Sequence, residues 1–235
     1  MYRFDGDQIL RVPALEAFSS WLDHGFGTKG SGGWPPEESR ATLKQIHSTK
    51  VAVAARTGVL GEGDALVTAE PGLWVAVKTA DCIPVLIVDP DKRVVAAVHA
   101  GWRGTAGNIV RTTIDTMVSE FHTNPAGLWA AIGPGIRKCC YEVSGEVAAQ
   151  FAPWLRECRS GGDGPVGGTS RTMLDLTQVN RLQLIDAGVP AAQVWGPVEP
   201  EWCTRCEPET LHSFRRDKEE SGRMLSAIRI RNSNG

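Results

Sequence analysis

No stretch of the 235 residues approaches 18 consecutive apolar positions, which excludes a membrane-spanning helix as the organising element. The opening MYRFDGDQILRVP lacks the apolar core of a secretory signal. These two lacks make the cytoplasm the expected compartment, with no membrane partner. An excess of one charge is lacking too. Lys and Arg number 25 against 27 Asp and Glu, and the net of -2 argues against nucleic acid or an anionic surface as the main partner. Internal repeats, low-complexity tracts and linker-like breaks are absent, so residues 1–235 read as one domain. Histidine is scarce, with five in all, which leaves little for a site built from many imidazoles. Six cysteines (82, 139, 140, 158, 203 and 206) remain, and in a reducing compartment metal or catalytic roles outrank disulfides for them.

What is present is a core-forming composition, 42% apolar with eight Trp, and strand and helix patterns that interleave along the chain. That interleaving predicts an α/β fold. The centre of the pattern is Val77–Val110. Ile83–Val88 and Val94–Val98 are short apolar runs rich in β-branched residues and predict buried strands. Asp89-Pro90-Asp91-Lys92 between them has turn chemistry. A hairpin symmetric about Pro90–Asp91 pairs positions that sum to 181, which sets Cys82 opposite His99 on one face. That spacing suits two ligands of one metal, or a thiolate and its base.

Beyond His99 the run Gly101-Trp102-Arg103-Gly104 predicts a glycine turn leading into a helix whose apolar stripe takes in residues 106, 109, 110, 113, 114, 117, 118 and 121. Helix N–H groups after Gly104, with Arg103 as a bidentate clamp, suit an anion or substrate. The spacing is not a dinucleotide fingerprint. Upstream, His24–Gly33 is a glycine-rich loop in which Lys29 can meet an anion, and a plain surface loop is an equal reading. Ala41–Ile46 is a short helix or strand leading to His47, and a lone His is more often structural than a ligand. Gly61–Asp64 reads as a turn, and Val51–Ala55, Ala65–Thr68, Leu73–Val77, Leu128–Ile132 and Met224–Ile230 read as strands. Ser144 caps a helix running to about Glu157, Ser160–Ser170 is a glycine-rich loop expected to be mobile, and Asp175–Ala187 is a helix ended by Gly188. Cys139 and Cys140 are adjacent, so at most one is expected to point into a site, and buried inert thiols are the favoured role. Cys203-Thr204-Arg205-Cys206 is half a metal site, a redox pair or two packed thiols, the last preferred because no second CxxC or HxxxH completes it. His212–Asp217 reads as a solvated charged face rather than a pocket lining.

Taken together, HGFGTKGSGG, KQIHSTKV, GDALVT, VKTADCIPVLI, AAVHAGWRGTAGNIV, AAIGPGIRKCCYEV, DLTQVNRLQLIDAGV, CTRC and HSFRRDKEESGRM resemble the laccase-domain or YfiH-like family, also called multicopper polyphenol oxidases. TADC followed seventeen residues on by HAGWRGT is a specific signature. The resemblance implies a single-domain α/β/β/α layered fold similar to a toxin-type cysteine hydrolase, and a metal site on His47, Cys82 and His99. A His₂Cys set with an open fourth position suits Zn, with Cu the alternative, and three such ligands bring a bound water to a pKa of roughly 7. Implied activities are phosphorolysis of adenosine, inosine, guanosine or methylthioadenosine, and deamination of adenosine. Cys82 and His99 are then catalytic, Asp81 is the nearest carboxylate for proton transfer, and Lys29, Arg103 and Gly104 are the candidates for binding phosphate and substrate. The expected partners are a purine nucleoside and phosphate, in a monomer or weak homodimer. Family members usually carry Arg in the N-terminal loop where this chain has Lys29, a point charge without a bidentate fork. Three competing readings remain: a copper polyphenol oxidase, a cytoplasmic amidase acting on a muramyl precursor with Cys82 as nucleophile, and a non-enzymatic metal-binding or redox module on Cys203 and Cys206.

Overall fold

The computed structural model describes residues 2–154, 171–197 and 201–232. In chain order the strands are β1 (Arg3–Phe4), β2 (Leu10–Arg11), β3 (Leu22–Phe26), β4 (Arg40–Lys44), β5 (Val51–Val53), β6 (Gly58–Glu62), β7 (Ala65–Thr68), β8 (Trp74–Thr79), β9 (Ile83–Asp89), β10 (Val94–Ala100), β11 (Trp129–Ile132), β12 (Glu142–Ser144), β13 (Arg171–Met173), β14 (Val194–Trp195) and β15 (Met224–Ile230). The helices are α1 (Trp102–Ala106), α2 (Ile109–Phe121), α3 (Gly145–Ala149), α4 (Leu176–Asp186) and α5 (Phe214–Asp217). The expected Ser160–Ser170 loop and the far end of the helix after Ser144 lie outside the described residues.

Two sheets carry the molecule. One has the order β1-β2-β3-β15-β8-β4-β6 and the other β14-β11-β9-β10-β7-β5. Alternation along the second sheet sorts its side chains. Leu66, Leu86, Val88, Val95 and Ala97 meet Leu22, Phe26, Val75, Val77 and Ile228 of the first sheet. Their neighbours Val67, Val85, Ile87, Ala96 and Val98 pack under Ile109, Ile114 and Met117 of α2 and Val179 and Leu184 of α4. β9 and β10 are therefore buried on both faces, which is why their sequences run apolar without alternation. The outer face of the first sheet carries Trp74, Ala76 and Ala227 beneath Trp34 and Leu225. Among the described residues no helix is long and apolar enough to cross a membrane.

Four expectations shift. The β9–β10 hairpin pairs positions that sum to 183, so His99 faces Pro84 and Val94 faces Asp89. The Asp89 carboxylate accepts from the N–H groups of Asp91 and Lys92 at 3.0 Å each, and Arg93 adopts a left-handed φ of 51°, which widens the loop to four residues. Cys82 is thus displaced by two residues from His99. A shift of two keeps both on the same face, whereas a shift of one would have parted them. Leu22–Phe26 is a strand paired with β15, not the start of a loop. Gly58–Glu62 is a strand parallel to β4. Finally, the helix opens at Trp102 with Gly101 as its cap, and Asn108 in a left-handed conformation separates five-residue α1 from α2. Arg103 and Gly104 therefore sit inside α1, not ahead of a long helix with free N–H groups.

His24 on β3 is buried, and its Nε2 accepts the Val12 N–H at 3.0 Å, so it is held neutral. Burial, aided by Arg11, lowers its pKa to about 4. Between pH 6.5 and 4 the unfolded chain binds a proton there that the native protein refuses, so stability present above pH 6.5 falls as the pH drops towards 4. The expected loss is about 3 kcal/mol, checked by urea unfolding across that range. His24→Asn should flatten the slope whatever it does to stability at pH 7.

Candidate metal centre

Two loops and the end of a strand converge at one end of the second sheet. Cys82 lies just before β9, His99 is the penultimate residue of β10, and His47 follows β4. One ligating atom from each lies within 4.8 Å of the other two. The Cys82 Sγ is 4.0 Å from His47 Nε2, and the two imidazoles meet edge to face with centroids 4.9 Å apart. His99 is buried, Cys82 half-buried and His47 exposed, so the group opens to solvent on the His47 side.

What fixes this geometry is Asp64, fully buried ahead of β7. Its Oδ1 lies 2.9 Å from His99 Nδ1 and accepts the His47 N–H at 3.0 Å. Its Oδ2 accepts the Ser48 N–H at 2.6 Å and the Ser48 hydroxyl at 2.7 Å. One carboxylate thus orients the ring of one histidine and the backbone of the other. With Nδ1 engaged, His99 presents Nε2 to the cluster, the usual arrangement of a carboxylate behind a metal-binding imidazole. His47 is held at φ 58°, and Asp81, beside Cys82, at φ 89°. Non-glycine residues pinned in this region concentrate where neighbours over-determine them, as at functional sites.

The electrostatics follow. Burial would raise the Cys82 thiol, but hydrogen bonds with His47 and His99 prevail and bring it down to about 6. Burial would lower His99, but Asp64 and Cys82 prevail and raise it to about 9. Asp64 itself is held well below the usual carboxylate range: burial opposes this, and His99 and Ser48 overcome it. At neutral pH the metal-free cluster therefore holds an anionic Cys82 sulfur beside a protonated His99. A metal ion that displaces that proton would find one sulfur and two histidine nitrogens, a donor set able to coordinate it.

Gly101 forms the floor. A Cβ there would stand 3.0 Å from His47 Cδ2 and 3.1 Å from the Cys82 sulfur. Its backbone, at φ -71° and ψ 168°, is open to alanine, so the constraint is steric alone. Gly101→Ala is expected to weaken divalent metal binding roughly tenfold or more while the circular dichroism spectrum stays unchanged, read by competitive titration against a chromophoric chelator.

The other sequence candidates fall around this centre unequally. Asp81 spends both oxygens: Oδ1 accepts the Thr204 hydroxyl and Oδ2 the Arg215 N–H, each at 2.6 Å. Arg103 is exposed and stacks on the Trp102 ring, its Cζ 4.4 Å from the centroid. Gly104 packs against the Ser48 carbonyl, 3.1 Å from where a Cβ would sit. Lys29 directs its Nζ to the Pro208 carbonyl at 2.6 Å, and the following Gly30–Gly33 run lines a hollow with Asp7, Gln8 and Trp34 instead of the metal cluster. Asp64, Tyr141 and Arg215 are additions. Tyr141 lies within electrostatic reach of Cys82, Arg215, Asp81 and Arg103, and burial foremost raises its hydroxyl to about 12. The Arg215 guanidinium lies over the Tyr141 ring at 5.2 Å and donates to the Glu142 carbonyl. The GDALVT and HSFRRD motifs contained Asp64 and Arg215, but nothing local marked either as facing the cluster.

The expectation that at most one of Cys139 and Cys140 points into a site is overturned. Cys139, Cys140, Cys203 and Cys206 bring all four sulfurs within 4.8 Å of one another, and only Cys203 is buried. The chain turns tightly over 137–141, so consecutive side chains need not diverge as they would in a strand.

Residues 30–231 match the family model for multi-copper polyphenol oxidoreductase laccase. A purine nucleoside phosphorylase of Deinococcus radiodurans is 42% identical over 80% of this chain and 69% of its own length. The adenosine deaminase RL5 of an unknown prokaryotic organism is 37% identical over 79% of this chain and 72% of its own. Two further curated relatives are matched over only 59% and 60% of their lengths. Among solved structures, the YfiH protein of Bacillus licheniformis superposes with a TM-score of 0.85 at 28% identity, covering 98% of this chain and 99% of that one.

Proposed function

The chain belongs to the multi-copper polyphenol oxidoreductase laccase family, and from that premise we propose that it is a zinc-dependent purine nucleoside enzyme that cleaves nucleosides with phosphate and deaminates adenosine. The observation that carries the reading is the open His47–Cys82–His99 group with Asp64 behind it. Two nitrogens and one thiolate suit a borderline-soft ion such as zinc, and five histidines in the whole chain are too few for a trinuclear copper centre. When bound, the metal supplies Lewis-acid charge at the reacting centre.

The chain's own residues divide the remaining work. His47, Cys82 and His99 hold the ion. Asp64 fixes the tautomer of His99 and the loop of His47. Arg103 and Arg215, both within electrostatic reach of Tyr141, give phosphate the positive charge it needs, and Tyr141 keeps its proton at neutral pH and can donate to a substrate oxygen. Asp81, with both oxygens engaged, positions Thr204 and Arg215 instead of moving a proton. Phosphorolysis exchanges the glycosidic bond for a sugar–phosphate bond and releases the free base.

A second reading draws on the same pair. A Cys82 thiol at about 6 beside His99 at about 9 is also the signature of a nucleophilic cysteine, as an amidase would need. Product analysis separates them. Adenosine incubated with metal-replete protein should give adenine only when phosphate is present, and inosine without it. No conversion under either condition, with hydrolysis of a muramyl amide by metal-free protein, would overturn the nucleoside reading.

A further inference from the structure

We propose that Cys139, Cys140, Cys203 and Cys206 form a second metal site, a closed tetrathiolate that takes a structural zinc ion and braces the loops behind the first centre. Four Sγ atoms within 4.8 Å of one another, two pairs at 3.8 Å and 3.3 Å, approach the spacing that tetrahedral coordination requires. With Zn–S bonds of 2.3 Å, sulfur neighbours stand about 3.8 Å apart.

Two backbone turns deliver the sulfurs. Cys140 and Tyr141 both donate their N–H groups to the Arg137 carbonyl at 2.9 Å, which folds 137–141 so that adjacent cysteines reach the same point. Opposite it, Cys206 and Glu207 both donate to the Cys203 carbonyl at 3.0 Å, closing the C-x-x-C turn. The two turns are joined by the bridge between Gly135 and Cys203 and by the Thr204 N–H on the Gly135 carbonyl at 3.1 Å. The buried Cys203 sulfur lies within electrostatic reach of the backbone N–H groups of Arg137, Cys206 and Arg205. N–H donors around a sulfur stabilise a thiolate, and outer hydrogen bonds of this kind accompany bound ligands.

The ligand chemistry narrows the ion. Four thiolates without imidazole or carboxylate select a soft or borderline cation, and four protein ligands leave no position for substrate. A disulfide would use two of the four sulfurs and give no reason for the other pair to converge. The site's purpose follows from its neighbours. The Ile136 N–H donates to the Asp81 carbonyl at 2.8 Å, and the Thr204 hydroxyl to the Asp81 carboxylate at 2.6 Å. An ion clamping 139–140 to 203–206 therefore holds both segments against the residue preceding Cys82.

Cobalt(II) titration of the full-length reduced protein tests this. The expected spectrum contains the intense visible bands of tetrahedral tetrathiolate cobalt, and bound metal reaches two ions per chain, one for each cluster. His47→Ala should keep the tetrathiolate bands, and Cys206→Ser should remove them and lower the unfolding temperature. If the serine variant does not fold, the wild-type protein still decides. Zinc should protect these thiols from Ellman's reagent, and a chelator should expose them. A stoichiometry of one ion lost with His47→Ala, thiols indifferent to zinc, or a peptide map of zinc-treated protein joining Cys140 to Cys206 would each overturn the proposal.

Discussion

Cys82→Ala is expected to reduce nucleoside turnover by roughly 10³-fold and to empty the first metal site, with the fold intact. The magnitude follows from what is lost. Lewis-acid stabilisation is worth several kcal/mol at the reacting centre, and each 1.36 kcal/mol is a factor of ten in rate. Alanine leaves two imidazoles, His47 on the exposed side and buried His99, with no anionic donor between them. The fold should persist because Cys82 is half-buried at the edge of β9, while the packing of the hairpin rests on Ile83 to Val88. Activity, metal content and the unfolding temperature measured on the same preparation separate these effects. Cys82→Asp sharpens the test. An aspartate can ligate zinc but cannot form a thioester, so it should recover part of the metal and part of the turnover. Full metal occupancy in Cys82→Ala, or an aspartate variant that binds zinc but has no trace of turnover, would favour the nucleophilic cysteine.

How much of this was legible in the sequence depends on how local each cause is. β9 and β10 were legible because burial on both faces leaves continuous apolar, β-branched runs, and α4 because Asp175 caps it and Gly188, at φ 99°, ends it. The hairpin register was legible only modulo two, since the Asp89 side-chain turn and the left-handed Arg93 add residues that no periodicity announces. That error was harmless to the site because side chains repeat every two residues. β6 escaped because it is a largely exposed edge strand with glycine at its start and again at Gly61. His47 could not be placed from its neighbours at all: its position is set by Asp64, seventeen residues away, and by a backbone angle that sequence does not display. The family resemblance supplied it instead. The four-cysteine group failed for a different reason. Adjacent side chains diverge in an extended chain, but the turn on the Arg137 carbonyl brings these two thiols together, and no local sequence signal announces it.

Asp64→Asn should cost 10- to 100-fold in metal affinity, the usual penalty for removing the carboxylate behind a ligating imidazole. The substitution is isosteric, so the loss is chemical. Asp64 accepts from both sides: His99 Nδ1 and the His47 N–H on Oδ1, the Ser48 N–H and hydroxyl on Oδ2. An amide has one oxygen. If that oxygen faces His99 and His47, its NH₂ confronts the Ser48 N–H, donor against donor. If it faces Ser48, His99 must flip its tautomer, and the nitrogen turned to the metal then carries a proton. Either choice leaves a buried polar group unpaired, at about 1–3 kcal/mol, and costs a ligand its orientation. Removing the negative charge also lowers the pKa of His99, because Asp64 is among the groups that raise it. In metal-free protein the His99 titration, followed by NMR, should move to lower pH. A merely structural role for Asp64 would reduce stability and leave that titration and the zinc affinity of the folded fraction where they are. Zinc affinity equal to wild type in folded Asp64→Asn would therefore sink the assignment of Asp64 as the residue that builds the centre.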